Sequence, residues 1–494
     1  MDYSQDLYAA LGVSPGASEE EIRQAYRQAA RQFHPDANSA PGAAVLFRQL
    51  AAVYEILGDR ARRSEYDSVR GDTVQPPALT VEYDLSREVM PYLSEPQLLY
   101  ALIRIKPTTQ LSLQADSPLN LAIVIDHSTS MKGERLDRVK SAAHRIIDET
   151  NDEDIISVVS FADRAKVVVP ATYSTDHRAL KVAISTIRAG GATAIYSGLA
   201  LGLEEIERNC HPRYVNHLVL ITDGRTFGDE DGCLALAEQA RDKGIGISGM
   251  GIGEDWNDQF LDDLASITGG SSAYIASPGS VRLFLEERIR SLATAYAERA
   301  RLTVAPTPNF HLDSAFRITP HPIALATRPQ PIPLGAIDGV APTRLLLQFY
   351  TTTAEVSDSD HVHFVRLCIS GDVLGSQQRN TTVFADLHIR LGGPDVAIPD
   401  EPPPTELVEA LSKLTLFRLQ ERARQALEEG DIAEATRRLE LLATRLFESG
   451  HEELGQSAMR EARRVAHTHQ FSTEGTKHLK YGTRSLLLPS GGNS

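Results

Sequence analysis

Asp126, Ser128 and Ser130 stand at alternate positions where an apolar run, Leu119 to Ile125, breaks off. Their side chains offer hard oxygen atoms, the ligand type that magnesium and calcium prefer. A run of this kind reads as a buried parallel strand whose carboxyl end opens into a loop. In open α/β sheets that end of a strand is where ligands sit. The same residues also read as a strand followed by a serine cap for a helix near Glu134–Glu149, and this segment by itself leaves both readings open. Two later segments share its character. Gly190-Gly191-Ala192-Thr193 is a glycine-rich turn carrying another hydroxyl, and His217 to Thr222 is a second apolar strand closed by Asp223 and Gly224.

Together the three segments resemble the metal-ion-dependent adhesion site of the von Willebrand factor A (VWA) family. Asp-x-Ser-x-Ser is present as Asp126, Ser128 and Ser130, the loop threonine as Thr193, and the later aspartate as Asp223. The resemblance spans roughly residues 119–297. It implies a doubly wound α/β domain and a Mg2+ (or Mn2+) ion held by Ser128, Ser130 and Thr193, directly or through water. Asp126 and Asp223 would stand largely behind them. An acidic side chain of a protein partner would complete the octahedron. A ring of hydroxyls suits magnesium or manganese better than zinc, which prefers nitrogen and sulfur.

A second constellation lies near the start. Ser18 with Glu21 reads as a capping box opening a helix through Phe33. Ile22, Ala25, Tyr26, Ala29, Ala30 and Phe33 form its apolar stripe, and Arg23, Arg27 and Arg31 form a basic stripe on another face. His34-Pro35-Asp36 stops the helix. A second helix follows, with Phe47, Leu50, Ala51, Tyr54 and Leu57 as its expected buried side. Alone, the tripeptide reads as a turn and the arginines as a solvated face. With Tyr8-Ala9-Ala10-Leu11-Gly12-Val13 before it and Tyr66-Asp67 after it, the module resembles the J-domain of DnaJ-type co-chaperones. That resemblance implies that His34, Pro35 and Asp36, with Arg23, Arg27, Arg31 and Tyr26, engage a DnaK-type heat-shock chaperone and stimulate its ATP hydrolysis. Ala37 follows the tripeptide in place of the usual lysine, and three arginines alone make the basic face. No glycine/phenylalanine-rich linker and no Cys-x-x-Cys zinc module follow, so a general client holder is not expected.

The elements that must position these residues give a multidomain chain of α and α/β class. The expected order is a helical J-domain over 1–70, a linker over 71–78, a β-rich segment over 79–118 preceding the VWA core, and the Rossmann-like VWA domain over 119–297. A β-sandwich-like domain over 298–398, a proline-rich linker over 399–404, a helical region over 405–470 and a tail over 471–494 complete it. Within the core, strands Leu121–Ile125 and Ile155–Phe161, an antiparallel edge strand at Val167–Val169 and the run before Asp223 alternate with helices. A long amphipathic helix at Ser280–Glu298 is expected to close the domain. The β region is read from Leu302–Val304, Thr343–Tyr350, Val362–Ile369 and Thr382–Ile389. His361 and His363 share one strand face and read as solvated, as do His467 and His469. Leu439, Leu442 and Leu446 form the inner stripe of a helical hairpin, and the basic stretch Lys477 to Arg484 reads as an unstructured end.

Fifty basic against 66 acidic residues, a formal net charge of −16 over 494 residues, argue against nonspecific nucleic-acid binding and against an anionic membrane surface. Cys210, Cys233 and Cys368 are too few and too scattered for a disulfide framework or a zinc site. The acidic start lacks the pattern of a signal peptide, and a cytoplasmic address is expected. The chain is therefore read as a non-catalytic adaptor joining a DnaK-type chaperone to an acidic protein partner. The alternatives are the VWA arm of an AAA+ ATPase machine and a metal-dependent hydrolase. The hydrolase lacks an activated nucleophile and a second metal-ligand cluster.

Overall fold

The computed structural model describes residues 5–73, 78–91, 95–108, 118–211, 213–224, 228–253, 256–275, 290–351, 362–374, 381–392 and 402–487. Two compact units divide the chain: residues 1–115, 295–317 and 324–407 form the first, and residues 116–294, 318–323 and 408–494 the second.

Four helices open the first unit: α1 (Leu7–Leu11), α2 (Glu19–Phe33), α3 (Pro41–Leu57) and α4 (Arg60–Thr73). The capping box forms as expected, Ser18 Oγ accepting from Glu21 N–H at 3.2 Å and the Glu21 carboxylate from Ser18 N–H at 2.6 Å. Tyr8, Leu11, Ile22, Phe33, Leu46, Leu50, Leu57 and Tyr66 fill the core between the helices. Tyr66 Oη receives Leu7 N–H and donates to Gln5 C=O. Tyr8 Oη donates to Asp67 and receives Arg63 Nε, which ties the last helix to the first. The buried face of α3 centres on Leu46 and Val53 as well as Leu50 and Leu57. Phe47 and Tyr54 are only half-buried, Tyr54 because it stacks on Tyr26 with ring centres 4.1 Å apart. The expected linker over 71–78 is shorter than read: α4 continues through Thr73, Leu79 begins a strand, and residues 74–77 lie outside the described residues.

Among the described residues, ten strands make a β-sandwich. Three precede the α/β domain: β1 (Leu79–Leu85), β2 (Val89–Met90) and β3 (Gln97–Pro107). After β4 to β9, which belong to the second unit, come β10 (Ala295–Pro306), β11 (Phe310–Thr319), β12 (Ile323–Leu325), β13 (Ile332–Asp338), β14 (Thr343–Thr351), β15 (Val362–Val373) and β16 (Thr381–Leu391). One sheet has the order β1-β3-β14-β11-β12 and the other β13-β10-β15-β16-β2. Phe364 of the second sheet meets Phe310 and Phe349 of the first, with ring centres 5.1 and 5.6 Å away. This corrects the expectation of a separate β segment over 79–118. β3 lies between β1 and β14, pairing Ile105 with Thr343, so the sandwich is one domain with the α/β core inserted into its chain. The helix expected over Ser280–Glu298 ends earlier than read: residues 290–293 are helical, Ala295 to Glu298 already lie in β10, and residues 276–289 are outside the described residues.

The helical module is docked on this sandwich through the start of α3. A Cβ on Gly42 would stand 1.8 Å from the Val304 carbonyl oxygen, so only glycine lets helix and strand approach this closely. Asn38 is buried and spans the junction, its Nδ2 donating to Gln32 C=O at 2.9 Å and to Pro306 C=O at 2.8 Å. Arg366 Nη2 donates to Ala9 C=O, and Ala305 completes the core of the helical module. His363 is correspondingly not solvated. It sits 3.2 Å from the Asp386 carboxylate and edges onto Phe33, while His361 lies outside the described residues.

The second unit is built on a six-stranded sheet: β4 (Leu119–Asp126), β5 (Ile155–Phe161), β6 (Ala165–Tyr173), β7 (Val215–Thr222), β8 (Gly246–Ile252) and β9 (Ser272–Ile275). The order is β6-β5-β4-β7-β8-β9, parallel except for the antiparallel edge β6. Helices α5 (Glu134–Glu149), α6 (His177–Ser185), α7 (Ile195–Glu207), α8 (Glu230–Lys243) and α9 (Asp258–Thr268) make the crossovers. The chain runs outward from β4 on one side and from β7 on the other. The crevice of this doubly wound sheet therefore lies at the carboxyl ends of those two strands.

Helices α10 (Thr405–Glu428), α11 (Ile432–Glu448), α12 (Glu452–Thr468) and α13 (Thr473–Ser485) follow, with Leu439, Leu442 and Leu446 buried as expected. His467 lies in α12 and His469 caps it at φ 59°. The tail expected over 471–494 is corrected. Ser472 caps α13, and Lys477, Lys480 and Arg484, spaced three and four apart, share one buried face of it. Lys477 donates to Trp256 C=O, Lys480 pairs with Asp258 and Asp262, and Arg484 clasps Asp262 with two N–H groups at 2.9 and 2.6 Å.

Candidate functional sites

The oxygen cluster at the crevice is assembled from three loops. Asp126 ends β4 fully buried, one carboxylate oxygen accepting from Ser128 N–H at 2.8 Å and the other from Thr222 Oγ1 at 2.6 Å. Burial pushes the Asp126 carboxyl above its ordinary range, against those hydrogen bonds and with help from the neighbouring Asp223 charge. Ser128 and Ser130 hydroxyls are 3.0 Å apart, and Ser130 donates to Asp223 Oδ1 at 2.6 Å. Thr193 arrives from the glycine turn: a Cβ on Gly224 would lie 2.9 Å from Thr193 Oγ1, so the hydroxyl rests against the turn that follows Asp223. Two clips hold that turn, Gly190 N–H to His127 C=O at 2.8 Å and Thr129 N–H to Gly191 C=O at 3.0 Å. All five expected residues thus meet in one place.

The arrangement fits a small octahedral cation. Oxygen ligands about 2.1 Å from such an ion and at right angles to each other stand roughly 3 Å apart, which is the separation of Ser128 Oγ and Ser130 Oγ. The donors are all hard oxygen. Among the described residues there is no cluster of three or more histidine, cysteine or carboxylate side chains.

The His-Pro-Asp loop leaves α2 at His34, whose ring edges onto Phe47 with centres 4.9 Å apart. Asp36 N–H donates to His34 Nδ1 at 3.2 Å, and the two side chains form a loose 3.6 Å pair. Asp36 is almost fully exposed and His34 partly so. Arg23, Arg27 and Arg31 point outward, as expected, but Arg23 and Arg27 share Glu20 at 3.2 and 3.3 Å. Tyr26 is half-buried in its stack with Tyr54.

The DnaJ domain family matches residues 6–67, the von Willebrand factor type A domain family residues 120–284, and the "Sll0103-like, C-terminal alpha-helical domain" family residues 405–489. The chain carries a J-domain and a VWA domain. The J-domain is similar to Chaperone protein DnaJ of Levilactobacillus brevis, 47% identical over 62 residues, which cover 13% of this chain and 16% of that one. Another relative is the uncharacterized protein sll0103 of Synechocystis sp., 36% identical over 196 residues, 40% of this chain and 46% of its own length. The chain therefore spans less than half the length of these relatives. In fold, a von Willebrand factor type A structure from Catenulispora acidiphila superposes with TM-score 0.64 at 18% identity, covering 83% of this chain and 97% of that one. The ArnB paralog VWA2 from Sulfolobus acidocaldarius does so with TM-score 0.53 at 17% identity, covering 83% and 98%.

Sequence reasoning missed several residues that build the VWA site. Thr222 orients Asp126, and Asp163 accepts from Ala192 N–H at 3.0 Å to shape the threonine turn. Arg135, at the start of α5, donates to Asp223 Oδ2 at 2.7 Å. It stands among Lys132, Glu134 and Arg138, and nothing local separates it from a solvated helix face. His127, next to Asp126, has a buried Nδ1 with no hydrogen-bond partner among the described residues, and burial pulls its pKa down.

Proposed function

We propose that this chain is a non-catalytic co-chaperone adaptor. Its J-domain recruits and stimulates a DnaK-type chaperone, and its VWA domain grips an acidic group of a protein partner through Mg2+ (or Mn2+). The observation that carries the reading is how the J-domain sits on the sandwich. Docking consumes Asn38, Gly42 and the α1 end, while Asp36, Arg23, Arg27 and Arg31 stay open to a partner. A J-domain docked by its other face would have no chaperone surface to offer. With Glu20 neutralising part of the arginine stripe, long-range steering is weak and the encounter depends on the loop itself. At the VWA site Ser128, Ser130 and Thr193 would hold the ion, with Asp126 and Asp223 behind them. When bound, the ion supplies a positive centre that an incoming carboxylate completes. Among the described residues no helix is long and apolar enough to cross a membrane, and a cytoplasmic address goes with the reading.

Steady-state ATPase assays of a DnaK-type chaperone test the J-domain half. The full chain should stimulate hydrolysis and its His34→Gln variant should not; no stimulation by the wild type, or equal stimulation by both, overturns it. Calorimetric titration of MgCl2 tests the other half. Thr193→Ala removes one hydroxyl with little cost to the fold, because the turn is held by backbone bonds from Gly190 and Gly191, and it should weaken binding about tenfold or more. Superimposable isotherms would remove Thr193 from the ligand set.

A further inference from the structure

Arg135 carries the next step, which rests on the metal reading above. Its guanidinium reaches Asp223 Oδ2 at 2.7 Å while Ser130 occupies Oδ1 at 2.6 Å, so both oxygens of that buried carboxylate are engaged within the chain. The Arg135 side chain is 39% exposed and the Asp223 side chain 0%, so the cation comes from the rim and the anion from the floor. A Cβ on Gly253, whose φ is +74°, would stand 3.0 Å from Arg135 Nη2. The guanidinium therefore threads a gap at the end of β8 that a larger residue would narrow. Charge at the oxygen cluster then adds up simply. Among the described residues that bond within the cluster, Asp126 and Asp223 contribute two negative charges and Arg135 returns one, which leaves one negative charge to meet a divalent ion. Asp163 touches the neighbouring turn but is solvent-exposed, so water screens it.

We propose that Arg135 is a resident cation of this site, one that weakens its grip on a free divalent ion and makes firm metal binding conditional on an anionic ligand. With the ion in place the cluster carries one excess positive charge, which a carboxylate brings to zero. Without Arg135 the ion alone neutralises the cluster, and a carboxylate would add charge rather than cancel it. Metal and anion thus bind as a pair, each raising the affinity for the other by the same factor. The guanidinium suits the task because it stays charged at every relevant pH and offers further N–H groups at the rim to a planar anion.

The test titrates the full chain with MgCl2, in chloride buffer and in acetate buffer of equal ionic strength, for wild type, Arg135→Met and Arg135→Lys. Thermal melting of each variant confirms folding. Removing a unit charge a few ångströms from a divalent ion should tighten magnesium binding in chloride by about tenfold in Arg135→Met. Arg135→Lys should stay near wild type. Acetate should raise wild-type affinity several-fold and leave Arg135→Met nearly unchanged. Equal or weaker magnesium binding by Arg135→Met overturns the inference, because it would mark Arg135 as an organiser of the ligands rather than a competing charge. A flat magnesium titration for wild type and both variants would instead overturn the metal reading on which it stands.

Discussion

Arg484→Met is expected to cost about 3–5 kcal/mol of stability, the range for breaking one partner out of a buried ion pair. Asp262 is largely buried in the seam between α9 and α13, held by Arg484 through two N–H groups, by Lys480 at 2.9 Å and by Ser272 Oγ. Lys480 is 1% exposed and Arg484 4%. Burial by itself would push the Asp262 carboxyl up, but Arg484 and Lys480 outweigh it and hold it well below the usual carboxylate range. Deleting Arg484 leaves Asp262 with Lys480, already shared with Asp258, as its one remaining cation among the described residues, so the buried cluster keeps an uncompensated negative charge. The double variant Asp262→Leu, Arg484→Met removes one charge of each sign, leaves Lys480 paired with Asp258, and should be more stable than Arg484→Met alone, since a desolvated pair returns little net energy. Urea midpoints of the three chains decide it. A single variant within about 1 kcal/mol of wild type would mean that water enters the seam. The pH dependence follows from the same directions. A carboxyl lowered in the folded state stabilises above its unfolded pKa, near 3.9, and that contribution fades as pH falls from there toward the folded value. Lys480, raised by Asp262 and Asp258 against the opposing effect of burial, stabilises below its unfolded pKa, near 10.4, and loses this as pH climbs through the folded one. This cluster therefore contributes fully between about pH 5 and 10.

Why the sequence disclosed the oxygen cluster and hid its arginine is a matter of range. Asp126, Ser128, Ser130, Thr193 and Asp223 are each announced by their own neighbours: an apolar strand that stops at an acid, or a glycine turn that carries a hydroxyl. Sheet geometry then brings strand ends together without further instruction, because β4 and β7 are adjacent. Arg135 carries no such local mark, and its partner is 88 residues away. The same reason explains the misread end of the chain. Lys477, Lys480 and Arg484 resemble a solvated basic stretch until Asp262, 222 residues earlier, is set beside Arg484. Likewise β3 falls in the stretch read as β-rich, but its partner β14 comes only after the whole VWA domain. Local pattern fixes an element's type. Which elements share a sheet is decided by packing between segments that the chain separates widely.

The junction between J-domain and sandwich is the other feature invisible in sequence, and Gly42 is where it breaks most cleanly. In an isolated helix, glycine in the first turns is a liability of roughly 1 kcal/mol against alanine, so no local argument favours it there. Its value lies across the interface, where any Cβ would strike the Val304 carbonyl, an atom fixed by strand pairing. Gly42→Val should leave the four helices folded around Leu46, Leu50 and Ile22 while prising α3 off β10. Cys368 reports the event. Its thiol faces Gln49 of α3, is 2% exposed, and is pushed up to about 12 by burial. Exposure would return it to about 8.5, which at pH 8 raises the reactive thiolate fraction on the order of a thousandfold. Of the remaining cysteines, Cys210 is exposed in the native chain and Cys233 stays buried in the VWA core. Labelling with a thiol reagent should therefore give one fast group in wild type and two in Gly42→Val, with Cys368 identified by peptide mass. Helical ellipticity should hold, and stimulation of a DnaK-type chaperone should survive, because His34 and Asp36 lie outside the broken contact. A Cys368 that stays protected in the variant would mean that the strand yields to the larger side chain and that the junction is plastic. A thiol that opens while chaperone stimulation collapses would mean instead that the sandwich, through Asn38 and Pro306, holds the His-Pro-Asp loop in its working shape.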